Sequence, residues 1–279
     1  MTLALAVDIG GTKLDVGLVD GDGTVVMARR APTVTADPWP GLAALVTEVL
    51  ALAPEAPVGL GCGCAGPMTP GGATVSPLNI GGWRGFPLRD RLAALTGLPV
   101  VIDNDAKALA VGEGWRGAAR GEATYLAMVV STGVGGGLVV DGRVLHGAAG
   151  NAGHIGHLVV VPGGRPCVCG SQGCLEAEAS GTAIAAITGR PATQAGPQVI
   201  ARTGTLVGRA VAEVAVLLDL PLAVIAGSVA LGFGEPFFAA ARAEAERLAR
   251  ISYARVLRIE QAGLGDHGPL VGAAGLVLA

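Results

Sequence analysis

Aromatic side chains are scarce in this sequence, 3% of 279 residues, and so is charge, at 15%. The first scarcity excludes a core built of large rings and asks for small aliphatic side chains packed closely. Disorder is excluded as well, because 51% of the residues are hydrophobic. Lys and Arg total 19 against 22 Asp and Glu, a net charge of −3, so the basic excess that nucleic-acid binding draws on is missing. Long apolar runs are missing too. The longest, Val211 to Gly232, holds Glu213, Asp219 and Pro221. It reads as a helix to Leu218, a turn and a buried strand Leu222–Ala226, not as a membrane span. The opening run to Val7 has no basic leader and stops at Asp8, unlike a signal peptide. With neither export nor membrane signal, the cytoplasm is the expected compartment. Cysteine is rare and odd in number, five, with three of them inside residues 167–174, which is the arithmetic of a metal site and not of a disulfide ladder.

Glycine is what the chain has in excess, 46 residues with no collagen period, so it must serve turns and close backbone approach. Apolar patterning predicts strands over 3–7, 14–19 and 24–30, a helix over 41–52, a strand over 58–65, a helix over 88–96, a strand over 100–102 and a helix over 105–115. The order strand, glycine turn, strand, Asp-Gly, strand then recurs at 125–130, Ser131–Gly137, 138–140, Asp141-Gly142 and 143–146. Helices follow over 181–187, 196–218 and 234–251. We read a domain-scale duplication: an α/β chain of two halves, 1–117 and 118–265, each opened by a β-meander and expected to face the other across a cleft. A C-terminal helix over 266–279 is expected to complete the first half.

Asp8-Ile-Gly-Gly-Thr-Lys13 sets a carboxylate and a hydroxyl around two glycines at a hairpin tip. Glycines admit phosphate oxygens to backbone N–H groups, Thr12 adds a donor, and Asp8 suits a Mg²⁺ carried by a nucleotide. The plain alternative is a bare hairpin turn. The spacing is neither a Walker A loop nor GxGxxG. Ser131-Thr-Gly-Val-Gly-Gly-Gly137 holds the matching place in the second half, so the pair reads as two clamps on one polyphosphate. Val100–Asp105 ends a buried strand in Asp103-Asn104-Asp105, where open α/β sheets bind ligands. A carboxylate there accepts the proton of an attacking hydroxyl. Asp105 is the preferred base and Asp103 reads as structural; the alternative makes Asp105 a helix cap and Asp103 a solvated charge. His157, Cys167, Cys169 and Cys174 have the ligand types and close spacing of a closed, tetrahedral, structural Zn²⁺ site that orients the loop carrying Glu176. His154 either faces substrate or points to water. Cys62 and Cys64 read as small core residues, and Trp39, Trp83 and Trp115 as packing, with Trp83 also a candidate to line the cleft. Lys107 reads as a solvated helix charge.

These motifs resemble those of the ROK family (repressor, open reading frame, kinase), and within it the bacterial glucokinase-like sugar kinases. The resemblance runs along nearly the whole chain, through Asp8–Lys13, Asn79 in Pro77-Leu-Asn-Ile-Gly-Gly-Trp83, Asp103-Asn-Asp105, Ser131–Gly137, and His157 with Cys167-Val-Cys-Gly-Ser-Gln-Gly-Cys-Leu-Glu176. It implies an actin-like ATPase fold, two ribonuclease-H-like halves closing on ATP and a sugar, and phosphorylation of the 6-hydroxyl of a hexose with Asp105 as base. It implies sugar contacts from Asn104, Asp105, His157 and Glu176, with Gly66, Asn79 and His154 at the same pocket. It implies nucleotide contacts from Asp8, Gly10, Gly11, Thr12, Lys13, Thr132, Gly133 and Gly135. The implied cofactors are ATP, Mg²⁺ and structural Zn²⁺. The implied partners are the sugar and ATP, without nucleic acid or membrane, in a homodimer or homotetramer. Repressors of the family carry a helix-turn-helix ahead of the first motif, for which the residues before Asp8 leave no room, so a kinase is expected.

One departure matters. The family's kinases read Glu-x-Gly-His where this chain reads His154-Ile-Gly-His157, and that Glu contacts sugar hydroxyls or substituents away from the reacting position. Imidazole changes both charge and hydrogen-bond direction, which leaves the acceptor open among glucose, a modified hexose, an amino sugar and a cyclitol. Lys107 stands where the family often has Asn. Val224–Gly232 resembles the family's adenine-side glycine stretch, with Ala226 and Ser228 in place of glycines. Two other readings stand beside these: a catalytically silent sugar-sensing protein, and a kinase that uses polyphosphate, which calls for a basic surface track.

Overall fold

A computed structural model describes residues 2–279. In chain order its elements are β1 (Leu3–Ile9), β2 (Lys13–Asp20), β3 (Val25–Pro32), α1 (Trp39–Ala51), β4 (Leu60–Cys64), α2 (Leu88–Thr96), β5 (Val100–Asn104), α3 (Asp105–Arg116), β6 (Tyr125–Val130), β7 (Val134–Val140), β8 (Arg143–Val144), α4 (Leu175–Ala179), α5 (Gly181–Thr188), α6 (Pro197–Leu218), β9 (Leu222–Ala226), α7 (Ser228–Phe233), α8 (Glu235–Leu248), β10 (Arg258–Gln261) and α9 (Gly268–Leu278). They form two units. The first comprises Met1–Arg120, Val144–Ala152 and Gly263–Ala279; the second comprises Gly121–Arg143 and Gly153–Ala262.

In the first unit the sheet order is β3-β2-β1-β4-β5. β1 pairs antiparallel with β2 and parallel with β4, and β4 pairs parallel with β5. Every residue of β1 is buried, as expected of a central strand covered on both faces. One face meets Leu42, Leu45, Val46 and Val49 of α1. The other meets α9 through Ala4, Ala6, Val19, Leu270, Ala273 and Ala274. Small residues are required here. A Cβ on Gly61 would lie 1.8 Å from the Ala273 carbonyl oxygen, and one on Gly272 2.5 Å from that of Ala108, so neither position admits a side chain. The close seating of α9 on β4 and α3 is thus one place where the chain uses its small residues.

The second unit repeats the order as β10-β9-β6-β7-β8, with β6 antiparallel to β7 and parallel to β9. Substituting β6–β10 for β1–β5 converts one sheet into the other. Sequence patterning did not anticipate α7, set off from α8 by Gly234 at φ 61°, or the short edge strand β10. It also assigned 144–152 to the second half. That segment packs in the first unit, where Lys107 Nζ donates to the carbonyls of His146 and Gly150 and Asn151 Nδ2 donates to that of Met68. Among the described residues no helix is long and apolar enough to cross a membrane.

Candidate active site

Three strand ends assemble the site of the first unit. Ile9, Cys64 and Asn104 are register neighbours across β1, β4 and β5. The residues that follow them, Gly10, the Ala65-Gly66 turn and Asp105, thus emerge side by side at the carboxyl edge of the sheet. At the β1–β2 tip the carbonyls are tethered: Thr33 Oγ1 donates to Gly10 O (2.8 Å) and Thr33 N to Thr12 O (3.1 Å). Among the described residues, the amides of Gly11 and Thr12 find no protein acceptor. They are the groups a phosphate oxygen would use. Asn79 lies against this tip, its Nδ2 2.7 Å from where a Cβ on Gly11 would stand, and Leu78 N donates to Gly66 O (3.3 Å), which draws Gly66 and Asn79 together. Lys13 pairs with Asp15, the register neighbour of Asp8, its Nζ 3.1 Å from Asp15 Oδ2.

Asp8 is buried beneath the tip. Burial first, and then the Asp105 and Asp15 carboxylates, push its pKa up to about 7, against the opposing pull of Lys13 and Arg30. A buried carboxylate beside another carboxylate is a donor set suited to a hard divalent cation, so the residues fit Mg²⁺.

Asn104 caps α3, its Oδ1 accepting from Ala106 N (3.1 Å), and Asp105 Oδ1 accepts from the same amide (2.9 Å). The cap is therefore mainly Asn104, and Asp105 sits in the first turn, half-buried. Asp103 is buried, not solvated. Its Oδ1 accepts from Asn104 N (2.8 Å) and its carboxylate lies 3.7 Å from Lys107 Nζ and 3.3 Å from His146 Nδ1. Lys107 overturns the expectation of a solvated charge: it is 0% exposed. Nothing within its own helix predicts this, because its acceptors come from a segment about forty residues later. The spacing Asp103 to Lys107, i to i+4 at the head of a helix, was the one local signal. Trp83 is core and does not line a site, 1% exposed and stacked on Phe86 with centroids 4.2 Å apart. Cys62 and Cys64 are buried in β4.

In the second unit the glycine turn is shorter than its letters suggest. Val134 already pairs with Val130 and Gly135 with Val129, so Gly135 lies on the β7 ladder and not in the loop. The loop proper is Ser131-Thr132-Gly133. Its carbonyls are all engaged: Gly181 N donates to Ser131 O (2.7 Å), Thr182 Oγ1 to Thr132 O (2.9 Å) and Ser131 N to Gly133 O (2.9 Å). Ser131 Oγ meets Ser228 Oγ at 2.9 Å, which gives a place to the Ser that stands for glycine in the β9–α7 segment. Among the described residues the amides of Thr132 and Gly133 find no protein acceptor. Glu176 Oε2 accepts from Val134 N (2.9 Å) at the loop's exit.

Cys174 precedes α4, the helix that carries Glu176. The ligand atoms of His157, Cys167, Cys169 and Cys174 all lie within 4.8 Å of one another. His157 Nδ1 is 3.6 Å from Cys167 Sγ, and Cys169 Sγ is 3.7 Å from Cys174 Sγ. These are close to the edges of a tetrahedron with ~2.3 Å metal–sulfur bonds, so the four residues fit Zn²⁺. The hairpin is locked from outside by Glu178, whose buried carboxylate takes Arg165 N (2.7 Å) and the guanidiniums of Arg165 and Arg202. His154 flanks the cluster, its ring centroid 6.0 Å from that of His157.

The family model described as ROK family matches residues 4–279, and the chain belongs to that family. A glucokinase of Halalkalibacterium halodurans is 40% identical over 203 residues, 68% of this chain and 60% of the relative, so the match spans about three fifths of that enzyme's length. An N-acetylmannosamine kinase of Escherichia coli O139:H28 is 38% identical over 252 residues, 82% of this chain and 84% of the relative. Among solved structures, a ROK family glucokinase from Streptomyces griseus in complex with glucose and AMPPNP aligns with a TM-score of 0.85 at 31% identity, covering 98% of each chain. The fold is the actin-like ATPase fold of the ROK kinases, with its two five-stranded sheets.

Proposed function

We propose that the chain is an ATP-dependent hexose kinase that transfers the γ-phosphoryl group to the 6-hydroxyl of its sugar. The observation that carries this reading is the repeated hairpin tip with tethered carbonyls and unused amides, joined in the first unit by Asp105 at the carboxyl edge of the sheet. Asp105 accepts the proton of the attacking hydroxyl, and Asn104, which caps the same helix, holds it in place and bonds a neighbouring hydroxyl. The amides of Gly11, Thr12, Thr132 and Gly133 take phosphate oxygens. Mg²⁺, when bound, neutralises charge on the β- and γ-phosphates, and Asp8 is the residue that would hold it. His157 would ligate Zn²⁺ through Nδ1, leaving Nε2 for a sugar hydroxyl beside Glu176 and His154. Catalysis is then mostly positioning and charge stabilisation.

ADP release from ATP–Mg²⁺ is measured against glucose, mannose, their N-acetyl forms, amino-hexoses and cyclitols. Selective turnover of a hexose, abolished in Asp105→Ala while sugar binding persists, is the expected result; near-normal turnover in that variant would sink the assignment. A second reading, an N-acetylated amino hexose as acceptor in place of glucose, is favoured by His154 and by the fuller coverage of the N-acetylmannosamine kinase match. The panel separates the two.

A further inference from the structure

Building on the kinase reading, we propose that Glu176 is a positioning residue for the nucleotide-side loop as well as a sugar contact, so that the helix following the cysteine hairpin sets the loop's geometry for the nucleotide. The loop Ser131–Gly133 is fixed through its carbonyls by Gly181 and Thr182 of α5 and through a hydroxyl by Ser228. None of these partners reaches the strand that leaves it, which is held along β6 by its ladder. At its first residue Glu176 adds a side-chain tie, through Oε2 on Val134 N at 2.9 Å. The same oxygen would stand 2.7 Å from a Cβ on Gly133, so the glycine is what lets the carboxylate close on the loop. Glu176 is in turn two residues beyond Cys174 on a helix of five residues, too short to hold its own direction; the cysteine cluster and the Glu178–Arg202 contact set it. One carboxylate oxygen therefore serves the loop. Among the described residues Oε1 has no protein partner, which leaves it for the sugar.

A sugar contact alone and a loop anchor differ in one respect: only the anchor affects nucleotide binding when no sugar is present. AMPPNP–Mg²⁺ affinity is measured by calorimetry without sugar on the zinc-loaded protein and on Glu176→Ala, Glu176→Gln and Gly133→Ala, each checked for zinc content. Loss of the hydrogen bond to Val134 N is expected to weaken AMPPNP on the order of tenfold in Glu176→Ala. Glu176→Gln keeps an acceptor oxygen and is expected to stay within about twofold. Gly133→Ala pushes the carboxylate away from the other side, and combined with Glu176→Ala its loss is expected to overlap, not add. Unchanged affinity in Glu176→Ala, equal loss in the Gln variant, or additive losses in the double variant each overturn the inference. Should Glu176→Ala fail to fold, the Gln variant and Gly133→Ala still decide it, with a tenfold loss in the former as the refuting outcome. No AMPPNP binding by the unaltered protein overturns the kinase reading itself, and this inference with it.

Discussion

Asp8→Asn tests whether the first hairpin stores unfavourable charge. In the folded chain the Asp8 carboxyl has its pKa raised from 3.8 to about 7, by burial and by the nearby Asp105 and Asp15. A carboxyl with a raised folded pKa binds protons more tightly folded than unfolded, so its contribution to stability falls as pH rises from about 4 to about 7. A shift of about three units at ~1.36 kcal/mol each gives about 4 kcal/mol as the ceiling of the penalty above pH 7. At pH 5 only the part between 3.8 and 5 has been lost, roughly 2 kcal/mol by the same conversion. Asn is close to isosteric and carries no charge. Asp8→Asn is therefore expected to unfold at higher urea than the unaltered protein, with an advantage that grows from about 2 to about 4 kcal/mol between pH 5 and pH 8. Urea unfolding at several pH values, without divalent cations, reads this directly. An advantage that stays flat with pH, or a variant less stable at pH 8, would refute the reasoning. The same substitution removes the candidate Mg²⁺ ligand, so the stabilised variant is expected to lose turnover, a trade that marks a site built for charge.

Cys169→Ser is expected to lose bound zinc and to lower the melting temperature, as metal analysis and thermal unfolding report; full zinc occupancy would remove this cysteine from the ligand set. Lys107→Met strips the partner from buried Asp103 and the donor from two carbonyls. A loss of about 3–5 kcal/mol in denaturant unfolding is expected, and a loss near zero would deny the ammonium its anchoring role. His154→Glu places at this position the carboxylate that the resemblance leads one to expect, and is expected to raise the kcat/KM ratio of glucose over N-acetylated hexoses; an unchanged ratio means His154 does not read the acceptor.

What could be read from the sequence was local. Glycines at a hairpin tip, Asp-Asn-Asp at the end of an apolar strand and cysteines two and five residues apart announce their chemistry within a few positions. Most of the strands and helices around them follow from apolar period and turn residues, though the short α4 that carries Glu176 does not. What escaped depends on partners distant in sequence. Lys107 reads as surface on its own helix and is buried only because the segment at 146–150 folds over it. Gly135 reads as loop until Val129 is seen opposite it. The duplication explains why the two hairpin loops nevertheless share one design, carbonyls tied and amides free. It also exposes where the copies diverge. In the first unit Thr33, at the end of β3, ties the tip with a hydroxyl and an amide. In the second unit the matching strand β8 is only two residues long, and α5, Ser228 and Glu176 do the tying instead. The helix that follows the cysteine hairpin thus shares with α5 and Ser228 the support that a short β8 does not supply.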